Sequence, residues 1–516
     1  MPSGHFMGLA PLDAWVRLLA SSRRGVAPRY WLRLAVALFT STFATAITLP
    51  ERVALGPLVR MKFRGRAPRF VPRRDAVVIL GYFRSGTTHL HNLLATHPDL
   101  VTPKWVQAMS PQGFWLSWAL LRWISAAFLP NTRPQDEVAF GPDWPAEDDF
   151  AHNNWALASS LPGRLVLVQE RERWGRFNAL EGLKERELVA WRRAMAAFAW
   201  KVCVARTGRG LLLKTPSHTA RVRELDRVFG SRVRFVHITR NPEDVVKSNV
   251  AMHARLEGQA LQPLPSPGET REAIVAEYVD TERRFLADAG AMRLEHSSRL
   301  VRMRYDDLVA APMTQLERTC ATLGLRWDDE VRGRMARYLT SVGDYTPRTH
   351  APPAAGDPRL LDLAAALEAG LPPPVAVREA VPTDERAPAG KFAGIVGAWL
   401  AAGACLTLWL GLARVTGLRW DILVWPLGGL VGVAALRVAG RGDWKLGLWS
   451  AAAALAMVLG SIWPLPAVAN DWTGPDRVVA IRNAYGSPNN NYVWIAFGLL
   501  SAYRYASRKF LKPPGM

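Results

Sequence analysis

The sequence predicts a parallel α/β domain followed by an α-helical transmembrane domain. Three observations predict it. Ala76 to Leu80 (AVVIL) is an uninterrupted apolar run rich in Val and Ile, the pattern of a strand buried on both faces, and it leads through Gly81 into a loop and a helical stretch. Further β-rich runs at 211–213, 233–239 and 300–305 alternate with helical stretches, as a sheet sandwiched by helices requires. Phe392 to Ala413 carries no charge and is long enough to cross a bilayer.

At 516 residues the chain is too long for one ordinary domain. Its 65 Lys and Arg against 44 Asp and Glu leave a net charge of +21, which points to anionic partners: a phosphorylated cofactor, anionic lipid or nucleic acid. No helix-turn-helix, zinc-finger or RNA-binding signature accompanies that charge, so nucleic acid ranks low. Cys203, Cys320 and Cys405 are isolated, which predicts neither disulfides nor a metal site. Residues 1–74 form a basic, partly amphipathic region with no secretory signal pattern. Within it, Leu34 to Leu49 is apolar but interleaved with Thr and Ser, and Arg29, Arg33 and Arg52 flank it. It is too short and too polar for a span, and reads as a helix lying on a membrane or packed on the next domain.

The strand at 76–80 opens into Gly81-Tyr82-Phe83-Arg84-Ser85-Gly86-Thr87-Thr88. Backbone N–H groups at a helix N-terminus are unpaired, and the helix dipole adds positive character there. Arg84, Ser85, Gly86, Thr87 and Thr88 therefore make a candidate phosphate cradle. Gly81 and Gly86 have Walker A spacing, but Thr87 stands where that P-loop needs Lys. The fold is P-loop-like without the NTPase lysine. A second motif, RVRFVHITRNPEDVVKS, runs from Arg232 to Ser248. Arg240 closes its strand and Ser248 follows on the next helix, a fork and a hydroxyl suited to a second phosphate. A third, LLLKTPSHTAR (Leu211 to Arg221), puts Lys214 at a strand end. All three cations fall on the sheet edge where open α/β folds bind ligands. A P-loop kinase or NTPase is the alternative enzyme. The missing lysine, and the lack of an acidic residue ending the 233–239 strand, speak against it. A membrane scaffold with a degenerate nucleotide domain is the non-enzymatic alternative, and the intact Arg240–Ser248 pair speaks against that.

These segments resemble the sulfotransferases that use 3′-phosphoadenosine 5′-phosphosulfate (PAPS), in the bacterial branch marked by RSGTT-x-L. Thr132 to Ala151 (TRPQDEVAFGPDWPAEDDFA) and Arg304 to Leu308, followed by Pro312 and a helix to Leu325, are similar to further family segments. The resemblance covers roughly Asp75 to His350. It implies transfer of a sulfonyl group from PAPS to a hydroxyl or amine, without a metal. Residues 84–88 would hold the 5′-phosphate, and Arg240 with Ser248 the 3′-phosphate. Arg84 and Lys214 would stabilise charge on the transferring group. For the base, the acidic trio after Pro145 offers Glu147 first and Asp148 next, with His91 third. His89 lies on another face of the same helix, and His218 follows Lys214 by one turn.

The remaining segments complete four regions: 1–74, the sulfotransferase domain 75–350, a Pro/Ala-rich linker 351–390 and the membrane domain 391–516. Trp105 to Leu129 is rich in Trp, Phe and Leu, and reads as a buried insert, an acceptor-binding wall or a membrane-dipping loop. The linker carries one expected helix near Leu360 to Glu368. Four spans are expected at Phe392–Ala413, Ile422–Leu436, Leu446–Asn470 and Tyr492–Tyr503. Lys391, Arg437, Arg441, Lys445 and Arg508 then share one side, and Asp471 and Asp476 the other. The positive-inside rule makes this an inner (plasma) membrane protein, multi-pass, with its catalytic domain cytoplasmic. Gly442-Asp443-Trp444-Lys445 mimics a cofactor-closing motif of soluble sulfotransferases, but its placement between apolar spans marks it as a charged loop. A lipid or glycolipid is one reasonable acceptor for an anchored enzyme.

Overall fold

A computed structural model describes residues 5–65, 67–133, 139–204, 208–294, 297–342, 357–375, 379, 390–416, 423–462, 491–508 and 514–516. Among them, five strands form one sheet: β1 (Ala76–Leu80), β2 (Leu100–Val101), β3 (Gly210–Lys214), β4 (Val233–Thr239) and β5 (Leu300–Arg304). The order is β2-β3-β1-β4-β5, with every pairing parallel. Register sets Ala76 opposite both Leu211 and Val233, and Phe235 opposite Leu300. Alternate residues serve different layers: Val78, Leu80, Leu211, Leu213 and Phe235 in one core, Val77, Ile79, Leu212, Val236 and Ile238 in the other. Both faces are covered, which is why the strands read as continuous apolar runs. The chain runs from β1 out to the edge strand β2, back to β3 beside β1 and then across β1 to β4, so a topological switch point lies by β1, at the C-terminal ends of β3, β1 and β4.

The helices that matter here are α1 (Trp31–Lys62), α2 (Thr87–Ala95), α3 (Trp118–Phe128), α4 (Asp149–Ala156), α5 (Pro242–Arg255), α6 (Pro267–Ala291) and α7 (Pro358–Glu368). After them come α8 (Gly390–Thr416), α9 (Val424–Ala439), α10 (Trp444–Ile462) and α11 (Asn491–Ala506). Three elements differ from expectation. β2 has two residues, too few for a periodic signal. Lys214 is followed by a 3-10 turn, Pro216–Ala220, before an α-helix begins at Val222. The segment read as a linker docks at α7, where Leu360, Leu363 and Leu367 pack against Val245 and Val246 of α5 and Ile274, Val275 and Tyr278 of α6.

α1 corrects the reading of Leu34 to Leu49, because the helix runs on through Pro50 and Pro57 to 32 residues. One face, Ala37, Ser41, Ala44, Thr48 and Glu51, is buried against the α/β domain. The opposite face exposes Trp31, Leu32, Val36, Phe39, Phe43, Leu49 and Val53. Small and polar residues inward with large apolar residues outward invert the usual surface helix. The inward Glu51 is fully buried. Its carboxylate accepts from the N–H groups of Phe114, Trp115, Leu116 and Ser117, at 2.8 to 3.3 Å, and from Lys201 Nζ at 3.2 Å. The charge thus sits on the unpaired donors just ahead of α3, where the helix dipole favours an anion.

α1 and α8 are each long and apolar enough to cross a membrane, and α9 and α10 are shorter apolar helices. The four expected spans fall on α8, α9, α10 and α11, while Pro464, Pro466, Asp471 and Asp476 lie outside the described residues. Glycines bring these helices close: Gly428 meets the backbone of Gly498, and Gly432 the carbonyl of Ala502. The Trp-rich insert joins them. Trp123 of α3 lies over Gly429 of α9, with its ring 5.1 Å from that of Tyr505 in α11.

Removing the Glu51 carboxylate leaves Lys201 buried without its counter-charge. Glu51→Ala is expected to destabilise the α/β domain by about 3–5 kcal/mol, the scale for breaking a buried ion pair. Thermal unfolding of the purified full chain checks this, and an unchanged Tm would refute it.

Candidate active site

Gly81 and Gly86 have φ of 136° and 98°, and Arg84 between them has φ of 72°, so the loop after β1 turns through left-handed backbone. Gly86 is the N-cap of α2, and a Cβ there would overlap the Tyr305 ring. The loop is pinned from both sides. Thr219 Oγ1 accepts from the Gly81 N–H at 2.7 Å, and Glu282 accepts from the Tyr82 N–H at 3.2 Å. Glu282 is itself held by His237 of β4 at 2.9 Å. The N–H groups opening α2 face the switch point with no preceding helical carbonyl to bond.

Arg84 Nε donates to Ser248 Oγ of α5 at 3.0 Å, joining the first two motifs directly. Arg240, just past β4, lies over the Tyr305 ring at 5.0 Å and stands 3.9 Å from Asp244. Lys214 ends β3, 2% exposed, with its ammonium 2.6 Å from Glu147 Oε1 and 3.3 Å from Thr88 Oγ1. Burial lowers the Lys214 pKa, and Glu147 opposes that fall. Arg133 stands near enough for its charge to act on the same ammonium. Arg84 to Thr88, Lys214, Arg240 and Ser248 thus gather at the ends of the three central strands, with Glu147 among them.

The acidic trio divides. Asp148 is fully buried, accepting from Thr215 Oγ1 at 3.0 Å and meeting His218 Nε2 at 2.7 Å. Burial raises its carboxyl, and His218 with His152 together outweigh that to leave it at about 2. Asp149 is also buried, bonded to Arg221 at 2.8 Å and to Ser159, with its own N–H on Thr215. Burial raises its carboxyl too, and Arg221, His152 and Ser159 together carry it below the usual range. So Glu147 alone of the three reaches Lys214. His91 is buried, with Nε2 2.6 Å from Thr102 Oγ1, and burial holds it well below the ordinary imidazole value. His89 turns toward Tyr338, with ring centroids 5.9 Å apart. His218 backs Asp148. Gly442 meets the carbonyls of Ala506 and Arg508, and Asp443 pairs with Lys391 at the start of α8.

Sequence reasoning missed Tyr305, which underlies both Gly86 and Arg240, and Arg133, whose charge acts on Lys214. Both lie in segments that matched by pattern, but a linear pattern carries no contacts.

Comparison with known proteins supplies the class. Residues 76–329 match the model described as the sulfotransferase family. The chain is 28% identical over 344 residues to omega-hydroxy-beta-dihydromenaquinone-9 sulfotransferase Stf3 of Mycobacterium bovis, covering 66% of this chain and 83% of that protein. The Stf3 of Mycobacterium tuberculosis matches equally. The crystal structure of sulfotransferase STF1 from Mycobacterium tuberculosis H37Rv aligns at TM-score 0.47 and 18% identity, over 70% of this chain and 90% of STF1. The matched stretch contains all five strands of the sheet, and the chain is a sulfotransferase.

Proposed function

We propose that the chain transfers a sulfonyl group from PAPS to the hydroxyl or amine of a membrane-resident acceptor, a lipid alcohol foremost. One observation carries this reading: Arg84, Lys214 and Arg240 converge on the switch point, with Glu147 bonded to Lys214. The residues fit the donor. Gly86 leaves no Cβ over the start of α2, Arg84 with Ser248 links its turn to α5, and Arg240 lies beside them. When bound, PAPS supplies the sulfonyl group and a phosphate leaving group. Residues 84–88 hold the 5′-phosphate, Arg240 and Ser248 the 3′-phosphate. Lys214 and Arg84 neutralise charge on the oxygen that breaks from sulfur. Glu147 takes the acceptor's proton as the new bond to sulfur forms. Asp148 holds Thr215 and His218 behind Lys214 and does not meet the acceptor.

The lipid acceptor rests on the membrane character of both ends and on the mycobacterial relatives, whose names specify a hydroxylated menaquinone derivative. α1 lies along the bilayer surface with its apolar face inserted and its basic flanks at the headgroups. α8 to α11 cross it. Lys391, Gly442-Asp443 and Arg508 lie at one end of that bundle, the cytoplasmic end by the positive-inside rule.

Three outcomes follow. In the detergent-solubilised full chain, 3′-phosphoadenosine 5′-phosphate raises the Tm, and Arg240→Ala removes most of that shift. Equal stabilisation by ATP with Mg²⁺ would overturn the donor assignment. Glu147→Gln keeps the shift and lowers turnover about a hundredfold, the scale for losing a general base. Near-normal turnover in that variant, with His91→Ala folded but inactive, would move the role to His91. Reporters placed after residues 350 and 516 both report the cytoplasm. Opposite sides would mean an odd number of crossings between them.

A further inference from the structure

Residues 129–133 and 139–147 join two places that the sequence keeps far apart. At one end Glu147 sits on Lys214. At the other, Ser507 and Arg508, just past α11, hold the chain. The Arg508 guanidinium is 1% exposed. Its Nη2 donates to the Leu129 carbonyl at 3.1 Å, and its Nη1 to the carbonyls of Phe140 at 2.9 Å and Pro130 at 3.4 Å. Asn131 Nδ2 donates back to Ser507 O at 3.2 Å and Oγ at 3.1 Å.

The fork therefore spans both arms of a small antiparallel pairing. The Phe140 N–H donates to the Asn131 carbonyl at 2.9 Å, and Thr132 bridges Ala139. One arm runs into Arg133, whose charge acts on Lys214. The other runs into Asp143, which takes Arg122 of α3 at 2.6 Å and Lys104 at 3.5 Å. From there Trp144 O accepts from the Trp105 N–H, and the Ala146 N–H donates to Pro103 O, both at 2.9 Å. The next residue is Glu147. From Arg508 to Ala146 the path is made of hydrogen bonds and partly buried ion pairs, so displacement of one end is carried to the other.

We propose that Arg508 is a positioning residue for sulfonyl transfer, through which the C-terminal helices set the placement of Glu147 against Lys214. The membrane bundle is then a working part of the site as well as an anchor. The proposal rests on Glu147 as the base. A guanidinium suits the task because its planar fork reaches both arms at once, which an ammonium cannot.

The test uses the full chain in lipid nanodiscs, with turnover, KM for PAPS and the Tm shift from 3′-phosphoadenosine 5′-phosphate as readouts. Arg508→Ala is expected to lower kcat about tenfold or more, since small misplacement of a reacting group is costly. KM for PAPS and the nucleotide-induced Tm shift stay unchanged. Arg508→Lys remains impaired. In the Glu147→Gln background, Arg508→Ala costs less than about twofold, because the group it positions is already gone. A fully additive loss, or a parallel loss of nucleotide binding, would overturn the coupling and leave Arg508 a structural residue. Near-normal turnover of Glu147→Gln alone would overturn the base assignment and this proposal with it. If Arg508→Ala does not fold, Asn131→Ala loosens the same joint from the other side and is judged by the same criteria.

Discussion

A lysine ammonium buried at the end of a central strand is the constraint on which the site depends. Lys214 is 2% exposed, and a charge so placed needs a partner of opposite sign held in good geometry. Glu147 is that partner, 2.6 Å away. Neither it nor the segment carrying it belongs to the sheet. The 139–149 segment must therefore be brought to the sheet edge and kept there, which the fold does by pairing it with the turn after β3. Lys214 takes Glu147, Thr215 and His218 take Asp148, and Arg221 takes Asp149. Three consecutive acids meet partners spread over a single 3-10 turn and its flanks.

That pairing shows where legibility in the sequence ends. The three acids and the KTPSHTAR turn were each visible, and in the structure the trio runs into α4 at Asp149. Which acid faces which base was not visible, because the match depends on the twist of a 3-10 turn that reads like the opening of an α-helix. The strands were legible for a simple reason: β1, β3 and β4 are almost wholly buried, and apolar residues dominate each of them despite Arg234 and His237 in β4. Chain order and the switch-point rule then placed Arg84, Lys214 and Arg240 together. β2 was lost because two residues have no period.

α1 illustrates a different failure. Its Thr and Ser interruptions were read as evidence against a membrane span. Ser41 and Thr48, with Glu51 beyond them, lie on its inward face, where Ser41 bonds the Ala10 carbonyl and Glu51 takes the donors ahead of α3. Small and polar residues face the protein here and large apolar residues face out, the pattern of a helix whose outer side meets lipid, as proposed above. A periodicity argument that assumes an aqueous exterior assigns the faces in reverse.

The same inversion explains why α3 sits where it does. It is held at its start by Glu51 of α1 and along its length by Trp123 against Gly429 and Tyr505, while Arg122 binds Asp143 on the path to Glu147. Both apolar ends of the chain, 300 residues or more apart in sequence, thus close on one eleven-residue helix beside the catalytic segment. If α1 and the C-terminal helices served only to hold the enzyme at a membrane, either could attach anywhere on the α/β domain. Under the proposed function, their convergence on α3 puts the lipid-facing surface next to Glu147, the proposed base. For an acceptor whose tail stays in the bilayer, that adjacency shortens the distance its reactive group must travel through water.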